Sequence, residues 1–179
     1  MADKVSQRSW LRSNWGRFLD ALALLIVAFV AWKIFLAPRA LSVSNAHPAP
    51  HIVYEKLGGG EFRLTNERGR VVFLDFYASW CDPCRLETPL IERYARAHPN
   101  VAVIPIDVGE PASAAARFAL QFHLHDVVLD PHALSQGYFQ IQGFPTIVVI
   151  DPQGRIRATW AGFNPAIQVA MAHAERTLR

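Results

Sequence analysis

The sequence predicts a three-layer α/β sandwich with a mixed central sheet, preceded by one transmembrane helix. Two short runs, VVFLDFY at 71–77 and TIVVI at 146–150, are almost wholly apolar, as expected of strands that are covered on both faces. Segments with the length and composition of helices lie between them. Near the N-terminus the stretch 18–36 has close to the roughly 20 apolar residues that a helix needs to cross a bilayer.

Strands and helices alternate from residue 61 to the C-terminus, each strand being a short apolar or β-branched run between turn residues. In chain order, strands are predicted at 61–64, 71–77, 101–108, 127–129, 146–150 and 156–160. Helices are predicted at 81–97, 112–122, 133–139 and 165–178. The last two strands flank an Asp-Pro-Gln-Gly turn, which is typical of a hairpin, and the closing helix has proline in its first turn. This order predicts a sheet with both parallel and antiparallel neighbours.

The apolar stretch 18–36 is interpreted as an uncleaved membrane anchor. Four basic residues and one acidic residue precede it, so the positive-inside rule predicts a cytoplasmic tail at 1–17 and an extracytoplasmic C-terminal part. The proline-containing segment 37–55 is predicted to be a linker, and 56–179 the folded domain. A buried core helix and a cleaved signal peptide are the alternatives. The length of the stretch and the interfacial pair Trp32-Lys33 favour the anchor.

Composition excludes several classes of protein. The formal net charge is +3 and the basic residues form no long run, so no nucleic-acid partner is expected. The two cysteines lie in a single C-x-x-C motif, which excludes a multi-disulfide scaffold and a four-cysteine metal site. His123 and His125 lack a third nearby ligand in the sequence, so no metal site and no bound cofactor are expected.

The motif Trp80-Cys81-Asp82-Pro83-Cys84 follows a predicted strand and opens a helix. Two cysteines one helical turn apart are close enough to form a disulfide. Unpaired N–H groups at the helix N-terminus favour a thiolate on the first cysteine, which makes it the attacking group, while the second is shielded and resolves the mixed disulfide. Half of a zinc site and an inert structural disulfide remain as alternatives, although a bridge across so short a loop would constrain little of the unfolded chain.

The segment from Val72 to Arg85, with Glu87 and Pro89 after it and Gly143-Phe144-Pro145-Thr146 about sixty residues later, resembles the thioredoxin superfamily. Within it, the chain is most similar to the membrane-tethered branch of TlpA, ResA and CcmG types. The resemblance covers about 56–179 and implies a thioredoxin-like fold. It also implies a longer segment between the second buried strand and the proline loop than plain thioredoxin has.

The resemblance implies a role for each matching position. Cys81 would be the nucleophile and Cys84 the resolving cysteine, so that the only redox group is their disulfide. Pro145 would be a cis proline packed against that disulfide. It would bind substrate together with Trp80, Phe144 and Thr146.

Two acidic residues complete the candidate site. Asp75 is a carboxylate in an apolar strand, where burial should raise its pKa. The resemblance implies a proton-shuttling acid, as in thioredoxin, although the tethered branch often has a neutral residue at this position. The alternative is an acid at a wet sheet edge. Glu87 matches a glutamate that lies near the active site in the tethered branch, and the alternative is a solvated helix residue.

The preferred function is the reduction of disulfides in extracytoplasmic proteins by an enzyme of the bacterial inner membrane, facing the periplasm. A transmembrane thiol carrier would supply the electrons. Such an enzyme could serve cytochrome c or other metalloprotein biogenesis, but Thr146 stands where the cytochrome-maturation type often has glutamate, which counts against apocytochrome reduction. A disulfide-forming oxidant and a copper chaperone using the same cysteines are the alternatives.

Overall fold

The computed structural model describes residues 18–31 and 46–179, which belong to two compact units. In the first unit, residues 18–31 form helix α1. In the second unit, residues 46–179 form an α/β domain. Within the described ranges, no helix combines the length and hydropathy needed to span a bilayer. The predicted tail 1–17 and the part of the predicted anchor after residue 31 lie outside the described residues.

The elements of the α/β domain follow the predicted order from residue 61 onward. Its strands are β1 (His47–Pro48), β2 (Val53–Lys56), β3 (Glu61–Arg63), β4 (Val72–Tyr77), β5 (Ala102–Val108), β6 (Val128–Asp130), β7 (Thr146–Ile150) and β8 (Arg155–Ala161). Its helices are α2 (Asp82–Ala97), α3 (Ala112–Phe122), α4 (Leu134–Phe139) and α5 (Ile167–Leu178). Where an element was predicted, each of its ends agrees with the structure to within two residues, as is usual for element boundaries.

One eight-stranded sheet runs through the domain in the order β1-β8-β7-β4-β5-β6-β2-β3. β4 pairs in parallel with β5, and β5 with β6, whereas β4 and β7 are antiparallel. The mixed sheet is therefore confirmed. Of the predicted linker 37–55, residues 37–45 lie outside the described residues. The remainder differs from the prediction, because β1 and the start of β2 lie within it and belong to the sheet. β1 pairs with β8 and β2 with β6, partners about 75 to 110 residues away that a local pattern cannot reveal.

Side-chain alternation along β4 separates two parts of the core. Phe73 packs with residues of α2 and α5, whereas Leu74, which points to the opposite face, packs with Phe139 of α4. Helices therefore cover both faces, which confirms the sandwich. A third apolar cluster surrounds the end of β4 and the start of α2, and contains both cysteines. Because β4 lies in the middle of the sheet and feeds directly into α2, the cysteine pair is held at the edge of a rigid core.

Candidate active site

Cys81 and Cys84 form a disulfide across the first turn of α2, with their Cα atoms 5.3 Å apart. Cys81 is the N-cap of the helix, and both side chains are buried, with 4% and 1% of their surface exposed. The backbone N–H of Cys84 donates a hydrogen bond to Cys81 Sγ at 3.2 Å. The same N–H is placed to stabilise a thiolate on Cys81 after reduction, as expected at a helix N-terminus.

Two aromatic side chains, those of Trp80 and Phe144, lie beside the disulfide and form an aromatic rim. Trp80 is 69% exposed, and its ring lies edge-on to the ring of Phe144 with 6.0 Å between centroids. Phe144 also packs against the apolar cluster that contains Cys81 and Cys84. The structure therefore brings two of the predicted substrate-binding residues together beside the disulfide, with the larger ring open to solvent.

The loop before β7 carries the other two predicted substrate-binding residues. The Phe144–Pro145 peptide bond is cis, in agreement with the resemblance. The Thr146 hydroxyl donates to the carbonyl oxygen of Gly143 at 2.8 Å, and the N–H of Gly162 donates to the carbonyl oxygen of Pro145 at 2.8 Å. Thr146 is buried, so its side chain holds the loop in shape and does not face solvent.

Asp75 lies in β4 with 4% of its surface exposed, and β4 has β5 and β7 as neighbours. The alternative interpretation of Asp75 as an acid at a wet sheet edge is therefore wrong. Its Oδ1 atom has no hydrogen-bond partner among the described residues. Burial, followed by the negative charges of Glu87 and Glu92, raises the pKa of Asp75 well above its ordinary value. A carboxyl group in this state holds its proton at a pH where an exposed aspartate has lost it.

Glu87 is also buried, with 2% of its surface exposed. One of its carboxylate oxygens accepts a hydrogen bond from the backbone N–H of Asn164 at 2.8 Å. The alternative interpretation, a solvated helix residue, is therefore wrong. Because the charge of Glu87 contributes to the raised pKa of Asp75, the two carboxyl groups act on each other inside the domain.

Comparison with known proteins identifies the family. Residues 46–159, more than half of the chain, match the AhpC/TSA family. The chain belongs to this family. It is 30% identical over 146 residues to the thiol-disulfide oxidoreductase ResA of Geobacillus thermodenitrificans (strain NG80-2), covering 79% of this chain and 84% of that protein. It is 27% identical over 140 residues to ResA of Bacillus subtilis (strain 168), covering 75% and 78%.

A solved structure similar to this AhpC/TSA-family protein supports the same activity. A Chlorobium tepidum protein described as a thiol:disulfide interchange protein, DsbE, superposes with a TM-score of 0.70 at 26% identity, covering 76% of this chain and 99% of that one. The AhpC/TSA-family protein is therefore a thiol–disulfide oxidoreductase with a thioredoxin-like fold. Its cysteine pair exchanges two electrons between a dithiol and a disulfide.

In this AhpC/TSA-family enzyme, the loop before Cys81 is held by a residue that the sequence did not indicate. Glu110, in the loop after β5, accepts hydrogen bonds from both the backbone N–H and the hydroxyl of Ser79, the latter at 2.7 Å. The guanidinium of Arg85 donates to the carbonyl oxygen of Ser79 at 3.1 Å and lies over the rings of Phe118 and Phe122. No local pattern links Glu110 to Ser79, because 31 residues separate them.

The described part of the chain contains no group of three or more histidine, cysteine, aspartate or glutamate side chains arranged to hold a metal ion. His123 ends α3 in a left-handed backbone conformation. The disulfide, the buried carboxyl groups and the aromatic rim are the candidate functional groups of this AhpC/TSA-family site.

Proposed function

We propose that the enzyme reduces disulfide bonds of extracytoplasmic proteins while anchored in the bacterial inner membrane. The observation that carries the proposal is the buried Cys81–Cys84 disulfide at the N-terminus of α2, next to an exposed aromatic rim. Trp80 and Phe144 offer apolar surface to a polypeptide, and the two cysteines supply the electron pair. The resemblance to the tethered branch supports an extended substrate segment pairing with the backbone of Phe144.

The reaction proceeds in two exchange steps. The Cys81 thiolate attacks one sulfur of the substrate disulfide, so that a mixed disulfide forms and the other substrate sulfur leaves as a thiolate. The Cys84 thiolate then attacks Cys81 Sγ, which forms the Cys81–Cys84 disulfide and releases the second substrate thiolate. The substrate gains two electrons and, from solvent, two protons, and the enzyme loses both electrons.

Asp75 is the proposed proton carrier for Cys84. Its buried carboxylate accepts the proton of the Cys84 thiol before the resolving attack. In the opposite half of the cycle, protonated Asp75 returns a proton to Cys84 when the enzyme disulfide is reduced. The raised pKa of Asp75 supports this role because an acid with an ordinary pKa would seldom hold the proton that Cys84 needs.

Membrane attachment rests on the sequence 18–36, of which residues 18–31 are helical, and on the basic residues before it. An extracytoplasmic enzyme is out of reach of soluble cytoplasmic reductants. The electron donor in this proposal is therefore a transmembrane thiol carrier that reduces the Cys81–Cys84 disulfide. The substrates belong to the proteins of the same compartment, with metalloprotein biogenesis as one setting.

Trapping on a Cys84→Ser variant tests the function. The variant of the full chain keeps the nucleophile but lacks the resolving thiol, so mixed disulfides with substrates should accumulate and run as reducible bands that mass spectrometry can identify. The matched control is Cys81→Ser, which lacks the nucleophile. Equal amounts of covalent complex from the two variants would overturn the proposed function. A glutathione redox titration distinguishes a disulfide-reducing enzyme from a disulfide-forming oxidant.

A further inference from the structure

A groove of about 330 Å³ opens between α2 and the strand β5. β6 pairs with β5 at Ile106–Val108, and the groove lies beside the preceding part of β5, where Val103 forms part of its wall. From α2, Glu92 and Arg96 line the same groove. The groove therefore brings solvent to the C-terminal half of α2, two turns of helix away from the cysteines.

Glu92 shares a helix face with the resolving cysteine. Cys84, Thr88 and Glu92 follow one another at intervals of four residues, so their side chains lie along one stripe of α2. The Thr88 hydroxyl donates to the carbonyl oxygen of Cys84 at 2.8 Å. All three residues are buried, and Glu92, at the far end of the stripe, lines the groove.

Asp75 faces the same part of α2. Side chains at Phe73, Asp75 and Tyr77 point to one face of β4 because strand side chains alternate. Phe73 contacts Tyr94 of α2 with 6.1 Å between ring centroids, and Tyr77 packs in the cluster that contains Cys84. Asp75, between these two contacts, therefore lies under the middle of α2, between the levels of Cys84 and Tyr94.

Asp75 needs a route for its proton. It is 4% exposed, and its Oδ1 atom is buried with no hydrogen-bond partner among the described residues, so bulk water has little direct access to it. Glu92 is 8% exposed, lies at the solvent groove and is close enough for its charge to act on Asp75. We propose that Glu92 passes protons between Asp75 and the water of this groove. This inference rests on the proton-carrier role of Asp75 in the proposed function.

The proton balance of the resolving step defines the role. Cys84 gives its proton to the Asp75 carboxylate, and the Cys84 thiolate forms the new bond to Cys81 Sγ as the bond to the substrate sulfur breaks. The extra proton on Asp75 then moves to the Glu92 carboxylate and from there to water in the groove. The electron pair leaves with the substrate thiolate, so no additional oxidant is required. Glu92 touches no reacting sulfur and is a positioning residue for the proton.

The surroundings of Glu92 suit a group that gains and loses a proton. Burial raises its pKa, while the positive charges of Arg96 and His125 oppose this. Arg96 lies 3.5 Å from one of its oxygens. The charged and titratable groups that interact electrostatically with Glu92 or line the groove are Asp75 and Tyr77 from β4, Arg96 from α2, Lys56 from β2, Glu67 and Arg70 from the segment before β4, and His125 and Asp126 from the segment before β6.

The test compares four forms of the full chain in detergent: the parent, Glu92→Gln, Asp75→Asn and the double variant. The rate of the resolving step is followed by Trp fluorescence from about pH 5.5 to pH 9 in stopped flow. Glu92→Gln should slow the step roughly three- to tenfold, and adding it to Asp75→Asn should cause little further loss, because both residues serve one proton path. Glu55→Gln, which changes an exposed acid on β2, is the control and should match the parent.

Chemical rescue separates proton transfer from a structural effect. Formate or imidazole added to a Glu92→Ala variant should restore part of the lost rate, whereas a merely structural defect would not respond. A Glu92→Gln variant with parent rates and pH profile, a loss that adds fully to that of Asp75→Asn, or absence of rescue would overturn the inference. If Asp75→Asn alone keeps the parent rate, the proton-carrier role in the proposed function fails as well, which distinguishes the two failures.

Discussion

The backbone N–H of Asn164 donates a hydrogen bond to the buried carboxylate of Glu87, although 77 residues separate the two in sequence. Two residues earlier, the N–H of Gly162 donates to the carbonyl oxygen of Pro145. The segment after β8 therefore braces both the active-site helix and the cis-proline loop. It also fixes the position of a negative charge that acts on Asp75.

Glu87→Gln should lower the pKa of Asp75, because the substitution removes a neighbouring negative charge while an amide oxygen can still accept the Asn164 N–H. The pH–rate profile of the resolving step should then shift to lower pH. Stopped-flow measurement across the pH range gives this shift. A profile that stays in place, in a variant with parent-like thermal unfolding, would show that Glu87 has no electrostatic role.

The buried carboxyl group of Asp107 should make the free energy of unfolding depend on pH. It is fully buried in β5, and burial together with the neighbouring Glu110 raises its pKa to about 7. In the unfolded chain its pKa is ordinary, so between about pH 4 and pH 7 the folded state binds more protons and this residue makes stability fall as pH rises. Asp107→Asn removes that dependence.

Urea unfolding at about pH 4.5 and pH 8 measures the effect. The free energy of unfolding of Asp107→Asn, relative to the parent, should increase by roughly 1–3 kcal/mol between the two pH values. Asp126→Asn, at an exposed position, serves as the control and should show a smaller change. Equal pH dependence in Asp107→Asn and the parent would contradict the raised pKa of Asp107.

The enzyme should behave as a reductant. The Cys84 N–H stabilises the Cys81 sulfur as it does in any motif of this design, but Asp82 adds a negative charge beside it and Pro83 has no N–H to donate. The midpoint potential should therefore lie near that of thioredoxin, at about −220 to −290 mV. Asp82 is exposed, so water weakens the effect of its charge on the thiolate.

A glutathione redox titration of the full chain, followed by Trp fluorescence with Trp80 as reporter, measures the midpoint. Asp82→His replaces the negative charge with a group that favours the thiolate, so its midpoint should be higher than that of the parent. A parent midpoint above roughly −160 mV would favour the disulfide-forming oxidant instead.

The apolar stretch 18–36 and its basic flank predict a membrane anchor with the C-terminal domain outside the cytoplasm. Protease added to intact spheroplasts should digest the C-terminal domain and leave a small fragment in the membrane. A cytoplasmic marker protein controls for lysis. Protection of the domain would place it in the cytoplasm, and a mature chain that lacks residues 18–36 would support the cleaved signal peptide.

The sequence by itself determined the order of strands and helices, the cysteine pair and the acid in β4. These follow from local signals: apolar runs, turn residues and the spacing of two cysteines on one helical turn. Only the tertiary structure placed β1 and β2 in the sheet, Glu87 against Asn164 and Glu110 against Ser79. These pairings join residues far apart in the chain, and burial in a packed core, not any neighbouring residue, determines which polar groups meet.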